Sequence, residues 1–257
     1  MHTTLYNQPA TRLTPALVIY LIDTSDSMSY ACGTTTKIEC VNAALRDSIK
    51  HMVRRSMQDG VPQSRYQVAI FSYSTRVVDV LNGICSLTEL VQTNIPTLCA
   101  EGDTDTIAGF AAVEQLLQKY MATLEREPAP RCPAPLVCHL TDGMFTTEDP
   151  SPVVKRIQTM CVSDGPVLVE NVYMADDMLR TQVQDWYWWE GILKEKDLMD
   201  VYAKQLYQLS SPLPETYRQT INTYGYHLRK GASLFFPGTH RELVKLALVI
   251  SAGTQLN

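Results

Sequence analysis

The feature that most constrains the fold is a short apolar run that ends in oxygen-bearing side chains. Residues 16–22 are apolar or aromatic throughout, and Asp23, Ser25 and Ser27 follow them. Such a run is typical of a strand that is buried on both faces, as in a parallel sheet covered by helices. Alternation along the chain directs the three polar side chains roughly the same way. A carboxylate and two hydroxyls at the end of a buried strand are hard ligands that suit a small cation such as Mg²⁺.

Strands and helices alternate through most of the chain. The capping-box pattern from Thr36 to Glu39 opens a helix whose apolar spacing continues to about residue 58. This order predicts an α/β fold with a doubly wound, mainly parallel sheet and helices on both faces. Further strands are predicted at 66–73, 76–82, 136–141, 166–174 and 232–236, and further helices at about 107–124, 151–161, 196–209 and 240–251.

Residues 176–231 interrupt this alternation and contain a Trp-Tyr-Trp-Trp cluster at 186–189. The cluster either binds a partner or anchors this segment to the core, since Trp and Tyr are enriched in both settings. We predict a single domain over residues 1–257, with core segments 15–175 and 232–252 and with 176–231 as an inserted elaboration.

Composition excludes several classes of function. The chain has 257 residues, of which 45% are hydrophobic, and this is enough for one α/β domain with a large core. The formal net charge of −5 offers no basic surface for polyanions, so nucleic acid is not an expected partner. No stretch reaches the roughly 18 apolar residues of a membrane span, so we expect no membrane association.

The N-terminus and the cysteines predict the compartment. The first residues have neither the charged region nor the apolar region of a secretory signal. The seven cysteines are odd in number and show no CxxC spacing, which suits thiols in a reducing compartment. We therefore expect a cytoplasmic protein. A zinc site made by Cys32, Cys40, Cys132 and Cys138 is an alternative to cysteines that pack as small hydrophobic side chains.

Three segments bring oxygen-bearing side chains to the carboxyl edge of the predicted sheet, where open α/β folds bind ligands. They are Asp23-x-Ser25-x-Ser27, Gly102-Asp103-Thr104-Asp105 and Thr141-Asp142-Gly143. In this order and spacing they resemble the von Willebrand factor A (vWA) domain, whose three corresponding segments form the metal-ion-dependent adhesion site (MIDAS). The resemblance extends over about residues 15–175 and the final strand and helix.

The resemblance implies a role for each of five residues. Ser25, Ser27 and Thr104 would bind the cation directly through their hydroxyls. Asp23 and Asp142 would hold it mainly through water. The implied ion is Mg²⁺, with Mn²⁺ and Ca²⁺ as alternatives. Hydroxyl ligands leave much of the ion's charge unneutralised, so the ion can accept one more carboxylate oxygen from a partner.

The sequence departs from the family pattern at two acidic positions. Asp26 stands where the motif usually has Gly, and Asp103 stands where the threonine loop often has a second Gly. Together with Asp105, these acids either surround the site with negative charge or coordinate a second ion nearby. In the alternative interpretation, Asp105 favours the N-terminus of the helix that begins here, and the other two acids are solvated. The backbone at Asp26 must adopt whatever conformation that Gly normally permits, which Asp tolerates better than most residues.

The function implied by the resemblance is that of an adaptor without catalytic activity. Its cation would bind a Glu or Asp of a protein partner in a bacterial signalling or stress system, with a kinase, a phosphatase or an AAA+ ATPase as partner. One alternative is a metal-assisted hydrolase or phosphotransferase, although no His or Lys is placed in sequence to help. The other is a scaffold subunit that binds through residues 176–231.

Overall fold

The protein forms one large mixed sheet that carries helices on both faces. The computed structural model describes residues 5–92, 95–124, 131–143, 148–175, 178–181, 183–239 and 241–251. The sheet strands are β1 (Ala16–Asp23), β2 (Tyr66–Tyr73), β3 (Val77–Asp79), β4 (Cys85–Ser86), β5 (Leu136–Thr141), β6 (Leu168–Tyr173) and β7 (Phe235–Pro237). Their order is β7-β6-β5-β1-β2-β3, and β4 also pairs with β2.

Five strands of the sheet run parallel, and two short strands run against them. β7, β6, β5, β1 and β2 form the parallel part, while β3 and β4 pair antiparallel with β2. The helices are α1 (Lys37–Arg55), α2 (Leu87–Gln92), α3 (Thr106–Leu124), α4 (Ser151–Thr159), α5 (Val201–Leu209), α6 (Glu215–Asn222) and α7 (Arg241–Ser251). Short antiparallel pairs join 31–32 with 35–36, 57–58 with 61–62, and 161–162 with 165–166.

The central strand β1 contributes to a hydrophobic core on each face of the sheet. All eight of its residues are buried. Val18, Tyr20 and Ile22 belong to the cluster that includes α1 and α7. Their neighbours Leu17 and Ile19 belong to the cluster that includes α3 and α4. Successive side chains of a strand point to opposite faces, so this division follows from the continuous apolar run. The predicted doubly wound α/β fold is confirmed.

Several predicted elements have different bounds in the structure. The strand predicted at 76–82 is β3, Val77–Asp79, and the strand predicted at 166–174 is β6, Leu168–Tyr173. The helix predicted from residue 196 begins at Val201, because the Asp200 side chain accepts a hydrogen bond from the Ala203 amide and caps the helix there. The strand predicted at 232–236 is β7, Phe235–Pro237. The predicted capping box of the last helix includes His240, which lies outside the described residues.

The segment between β6 and β7 packs against the core instead of standing apart from it. Met178, Trp189, Ile192, Leu206 and Tyr217 are buried in the same cluster as α1 and α7. The division into core segments 15–175 and 232–252 with 176–231 as an inserted elaboration stays a prediction. No helix in the described ranges is long and apolar enough to cross a membrane.

Candidate metal centre

Asp23 lies at the carboxyl end of β1 and is fully buried. Its Oδ1 accepts a hydrogen bond from the Ser25 amide at 2.9 Å, and its Oδ2 accepts one from the Thr141 hydroxyl at 2.7 Å. Burial raises the pKa of the Asp23 carboxyl, although these two hydrogen bonds oppose the shift. A nearby cation would therefore offset the cost of keeping this carboxylate ionised.

Ser25, Ser27 and Asp142 form a hydrogen-bonded chain beside Asp23. The Ser25 and Ser27 hydroxyls lie 3.2 Å apart, and Ser27 Oγ donates to Asp142 Oδ1 at 2.9 Å. Asp142 directly follows β5, which is the parallel neighbour of β1 in the sheet. The carboxyl ends of parallel neighbours meet at one edge, so the topology brings together residues that are 115 positions apart in sequence.

Thr104 is buried in the loop that precedes α3, and this loop is tied to the one after β1. The Asp26 amide donates to the Gly102 carbonyl, and the Gly102 amide donates to Asp26 Oδ1, both at 2.9 Å. Gly102 has a φ of +80°, and a Cβ there would lie 2.5 Å from the Thr75 hydroxyl oxygen, so glycine is needed here. Participation of Thr104 in cation binding stays a prediction.

The acidic residues of these two loops have structural partners. The position of Asp105 at the start of a helix was one of the predicted alternatives, whereas the partner of Asp26 was missed. Asp26 begins a 3₁₀ turn without a left-handed backbone conformation, and its exposed carboxylate holds Gly102. Asp105 accepts a hydrogen bond from the Ala108 amide in the first turn of α3. The backbone amide of Asp103 donates to the Thr75 hydroxyl. Asp26 and Asp105 therefore shape the loops that carry the candidate ligands.

Gly143 fixes the chain directly after Asp142. Its φ is +96°, and a Cβ at this position would overlap the Tyr173 ring. The Tyr173 hydroxyl in turn donates to Asp200 Oδ2 at 2.6 Å. The Asp-Gly pair thus packs against Tyr173 of β6, and Asp200, which caps α5, holds the Tyr173 hydroxyl in place.

Lys37 is a member of the site that sequence reasoning missed. Its Nζ lies 2.9 Å from Asp142 Oδ2, and the two side chains are only 16% and 4% exposed. Lys37 is also the first residue of α1, directly after the Thr36–Glu39 capping box, which the structure contains as predicted. A cation in the first turn opposes the helix dipole. This unfavourable position was a signal in the sequence that an acidic partner lies nearby.

The donor set fits a small hard cation. Two carboxylates and two hydroxyls, of Asp23, Asp142, Ser25 and Ser27, converge at one sheet edge, and Mg²⁺ prefers such oxygen ligands. Within the described residues, no three His, Cys, Asp or Glu side chains gather as a metal-binding group. The alternative zinc site is therefore not formed by its four cysteines, which lie at positions 32, 40, 132 and 138.

Part of the sequence around this sheet edge is similar to a known family. Residues 18–144 match the von Willebrand factor type A domain. This vWA region covers just under half of the 257 residues and includes all five predicted ligands. A comparison with curated proteins found no match.

Solved structures with a similar fold extend the likeness beyond the vWA region. Proximal thread matrix protein 1 from the mussel byssus is 14% identical with a TM-score of 0.51, over 93% of this chain and 48% of that one. The pilus adhesin SpaC of Lactobacillus rhamnosus GG is 11% identical with a TM-score of 0.52, over 96% and 31%. The minor pilin PilB of Streptococcus sanguinis is 11% identical with a TM-score of 0.50, over 92% and 60%. The chain thus spans less than two thirds of each, and the likeness concerns the fold.

His139 and the aromatic cluster at 186–189 have packing partners. His139 is buried between the Tyr73 hydroxyl, 2.7 Å from Nε2, and Asn171 Oδ1, 2.8 Å from Nδ1. Burial lowers the pKa of His139 to about 4, so the ring is neutral at pH 7. In the aromatic cluster, Trp189 is buried against Phe236, whereas Trp188 is 65% exposed. The cluster therefore contains one buried anchor, Trp189, and two exposed rings, Tyr187 and Trp188.

Proposed function

We propose that the vWA region is a non-catalytic interaction module that binds a partner carboxylate through a divalent cation. Asp23, Ser25, Ser27, Thr104 and Asp142 would hold the ion, with Mg²⁺ as the expected species and Mn²⁺ or Ca²⁺ as alternatives. The ion would supply the positive charge that attracts a Glu or Asp of a protein partner.

One observation supports this proposal above all others. The hydrogen-bonded chain from Ser25 through Ser27 to Asp142 lies at the carboxyl edge of two adjacent parallel strands, beside the buried carboxylate of Asp23. The family match over residues 18–144 adds independent support.

The first test measures Mn²⁺ binding by titration calorimetry in the full chain. Ser27→Ala removes one proposed ligand, and we expect the dissociation constant to rise at least tenfold, about 1.4 kcal/mol. Ser29→Ala is the matched control, because this nearby exposed serine donates only to the Asp26 carbonyl. Its affinity should stay within twofold of the wild type.

A second measurement addresses the partner. Proteins retained from a lysate by the immobilised chain with Mg²⁺ should be released by EDTA, and Ser27→Ala should fail to retain them while Ser29→Ala retains them. Retention that is unchanged by EDTA and by Ser27→Ala would contradict a bridge between the cation and a partner carboxylate. The partner classes implied by the resemblance, a kinase, a phosphatase or an AAA+ ATPase, and the cytoplasmic location stay predictions.

A scaffold role of residues 176–231 is the second candidate, and one observation favours it. Trp188 stacks on His227 with ring centroids 3.8 Å apart and is largely exposed, beside Tyr187, which stacks on Tyr226. Stacked exposed aromatic rings are common at protein interfaces. Retention that survives EDTA would favour this surface over the cation. No comparable observation favours a hydrolase or phosphotransferase.

A further inference from the structure

The Lys37 ammonium occupies the position of a counter-ion within the candidate metal centre. It contacts Asp142 Oδ2, while Ser27 donates to the other oxygen of the same carboxylate. Both oxygens of Asp142 are therefore engaged by groups of the chain itself. A divalent ion that approaches Ser25 and Ser27 would meet this fixed positive charge.

Local structure holds Lys37 where its charge matters. The Lys37 amide donates to the Tyr30 carbonyl at 3.0 Å, and the capping box of Thr36 and Glu39 fixes the start of α1. The stem of the side chain is thereby directed to the same sheet edge as the serines. Because Lys37 and Asp142 are both largely buried, water screens their interaction little.

We propose that Lys37 is a tethered competitor of the divalent cation and sets the affinity of the site. The ammonium neutralises Asp142 when no ion is bound, and it must release this carboxylate before an ion can use it. A monovalent ion gains no charge over the ammonium it would replace, so the competition favours divalent ions. This proposal rests on the proposed function of the same site.

The structure also offers a place for the released ammonium. The Tyr30 ring is 65% exposed, and its centroid lies 5.8 Å from Lys37 Nζ. A lysine over an aromatic face is stabilised by the ring quadrupole, even near solvent. The ammonium already lies at this distance while it is paired with Asp142, so a Lys37 side chain released from Asp142 would keep this favourable neighbour.

The test compares Lys37→Met with the wild type by Mn²⁺ titration calorimetry at fixed pH and ionic strength. Removal of the competing charge should tighten Mn²⁺ binding by about tenfold or more, because a charge-assisted hydrogen bond to a buried carboxylate no longer has to be broken. Lys50→Met is the matched control. Lys50 lies on the same helix with its side chain 66% exposed, so its variant should bind within twofold of the wild type.

Thermal unfolding in EDTA provides a readout that is independent of binding. Lys37→Met leaves Asp142 without its counter-ion, so its midpoint should fall below that of Lys50→Met, and Mn²⁺ should restore it. Lys37→Gln keeps a hydrogen-bond donor near Asp142 without the charge, and it serves if the Met variant does not fold. The Gln variant should also bind Mn²⁺ more tightly than the wild type.

The outcomes separate this proposal from the proposed function. Equal or weaker Mn²⁺ binding by the Lys37 variants, with clear binding by the wild type, would overturn the role of Lys37 and leave the cation site intact. Binding by the variants alone would support competition strongly. If neither the wild type nor the variants bind Mn²⁺, the cation site itself is wrong and Lys37 is a structural ion pair.

Discussion

Glu170 is a carboxylic acid in the middle of β6, one of the inner strands of the sheet. The residue is fully buried, and neither carboxylate oxygen has a hydrogen-bond partner among the described residues. Burial raises the pKa of Glu170 well above its usual range. Cys138 lies opposite Glu170 on the neighbouring strand and lowers the pKa of the Glu170 carboxyl, against the larger effect of burial. The native state therefore keeps a proton that the unfolded chain loses.

We expect Glu170→Met to stabilise the protein. The substitution replaces an unsatisfied buried carboxyl with an apolar side chain of similar size. The gain should be about 1–3 kcal/mol in the free energy of unfolding near neutral pH, measured by urea denaturation. The native Glu170 pKa is raised, so the wild type loses stability as the pH rises above the unfolded value. The gain should therefore be larger at pH 8 than at pH 5.

Glu148→Met is the control for this prediction, since Glu148 is exposed and its replacement should change neither stability nor pH dependence appreciably. A Glu170→Met variant that is less stable than the wild type at both pH values would mean that the carboxyl has a favourable partner.

The residues that sequence reasoning identified and those it missed differ in a physical way. Asp23, Ser27 and Asp142 follow strands, so the sheet topology alone brings them to one edge. The contact between Lys37 and Asp142 joins residues 105 positions apart and depends on the direction in which α1 leaves its cap. The bond from Gly102 to the Asp26 carboxylate likewise depends on how two loops pack. Neither the direction of α1 nor the packing of these two loops can be read from a local sequence pattern.

The loop after β1 and the loop before α3 act as one element. Besides the two Asp26–Gly102 bonds, the Glu101 amide donates to the Thr24 carbonyl at 2.7 Å. These bonds give a short ladder between segments that belong to different βα units. The position of Thr104 relative to Ser25 and Ser27 depends on this ladder.

We expect Asp26→Ala to loosen this ladder, because the Gly102 amide loses its side-chain acceptor. Hydrogen exchange at the Gly102 amide should accelerate by roughly three- to tenfold, which corresponds to the loss of one net hydrogen bond. Amide exchange followed by mass spectrometry over residues 99–106 would measure the change. Asp103→Ala is the control, because only the backbone of Asp103 is bonded here. Equal exchange in the two variants would refute a holding role for Asp26.

Sequence patterns predicted which segments form strands and helices more accurately than the residues at which these elements begin and end. β2 and β5 have the predicted bounds, since both are mostly apolar segments within the sheet. The first helix was predicted to about residue 58, but α1 ends at Arg55 because residues 57–58 pair with 61–62 in a small hairpin. β7 was placed too early because residues 232–234 are buried but precede the ladder of β7 with β6, and Ser233 forms a bridge to Pro212 instead.

The whole molecule is held together across its two sequence regions by a common core. Trp189 lies in the segment outside the vWA region and packs edge-on against Phe236 of β7, with ring centroids 5.8 Å apart. Trp188, its neighbour in sequence, is largely exposed. Substitution of Trp189 therefore measures how much the segment stabilises the core, and substitution of Trp188 is a control at an exposed residue of the same type.

We expect Trp189→Ala to lower the free energy of unfolding by about 3 kcal/mol or more, as is typical for loss of a buried Trp. Trp188→Ala should cost less than about 1 kcal/mol, because an exposed ring leaves no cavity. Urea denaturation of both variants in parallel would measure the difference. Equal, small losses would show that the segment contributes little to the stability of the core and would favour an independent unit.

The adjacency of β1 and β5 has a consequence for the time course of folding. The Ser27–Asp142 contact closes a loop of 115 residues, so it cannot form until the central strands have paired. Contacts of such long sequence separation form late, because the entropy of loop closure must first be overcome. An ion that needs both residues can bind only to the assembled sheet. It would therefore slow unfolding and leave the rate of folding nearly unchanged.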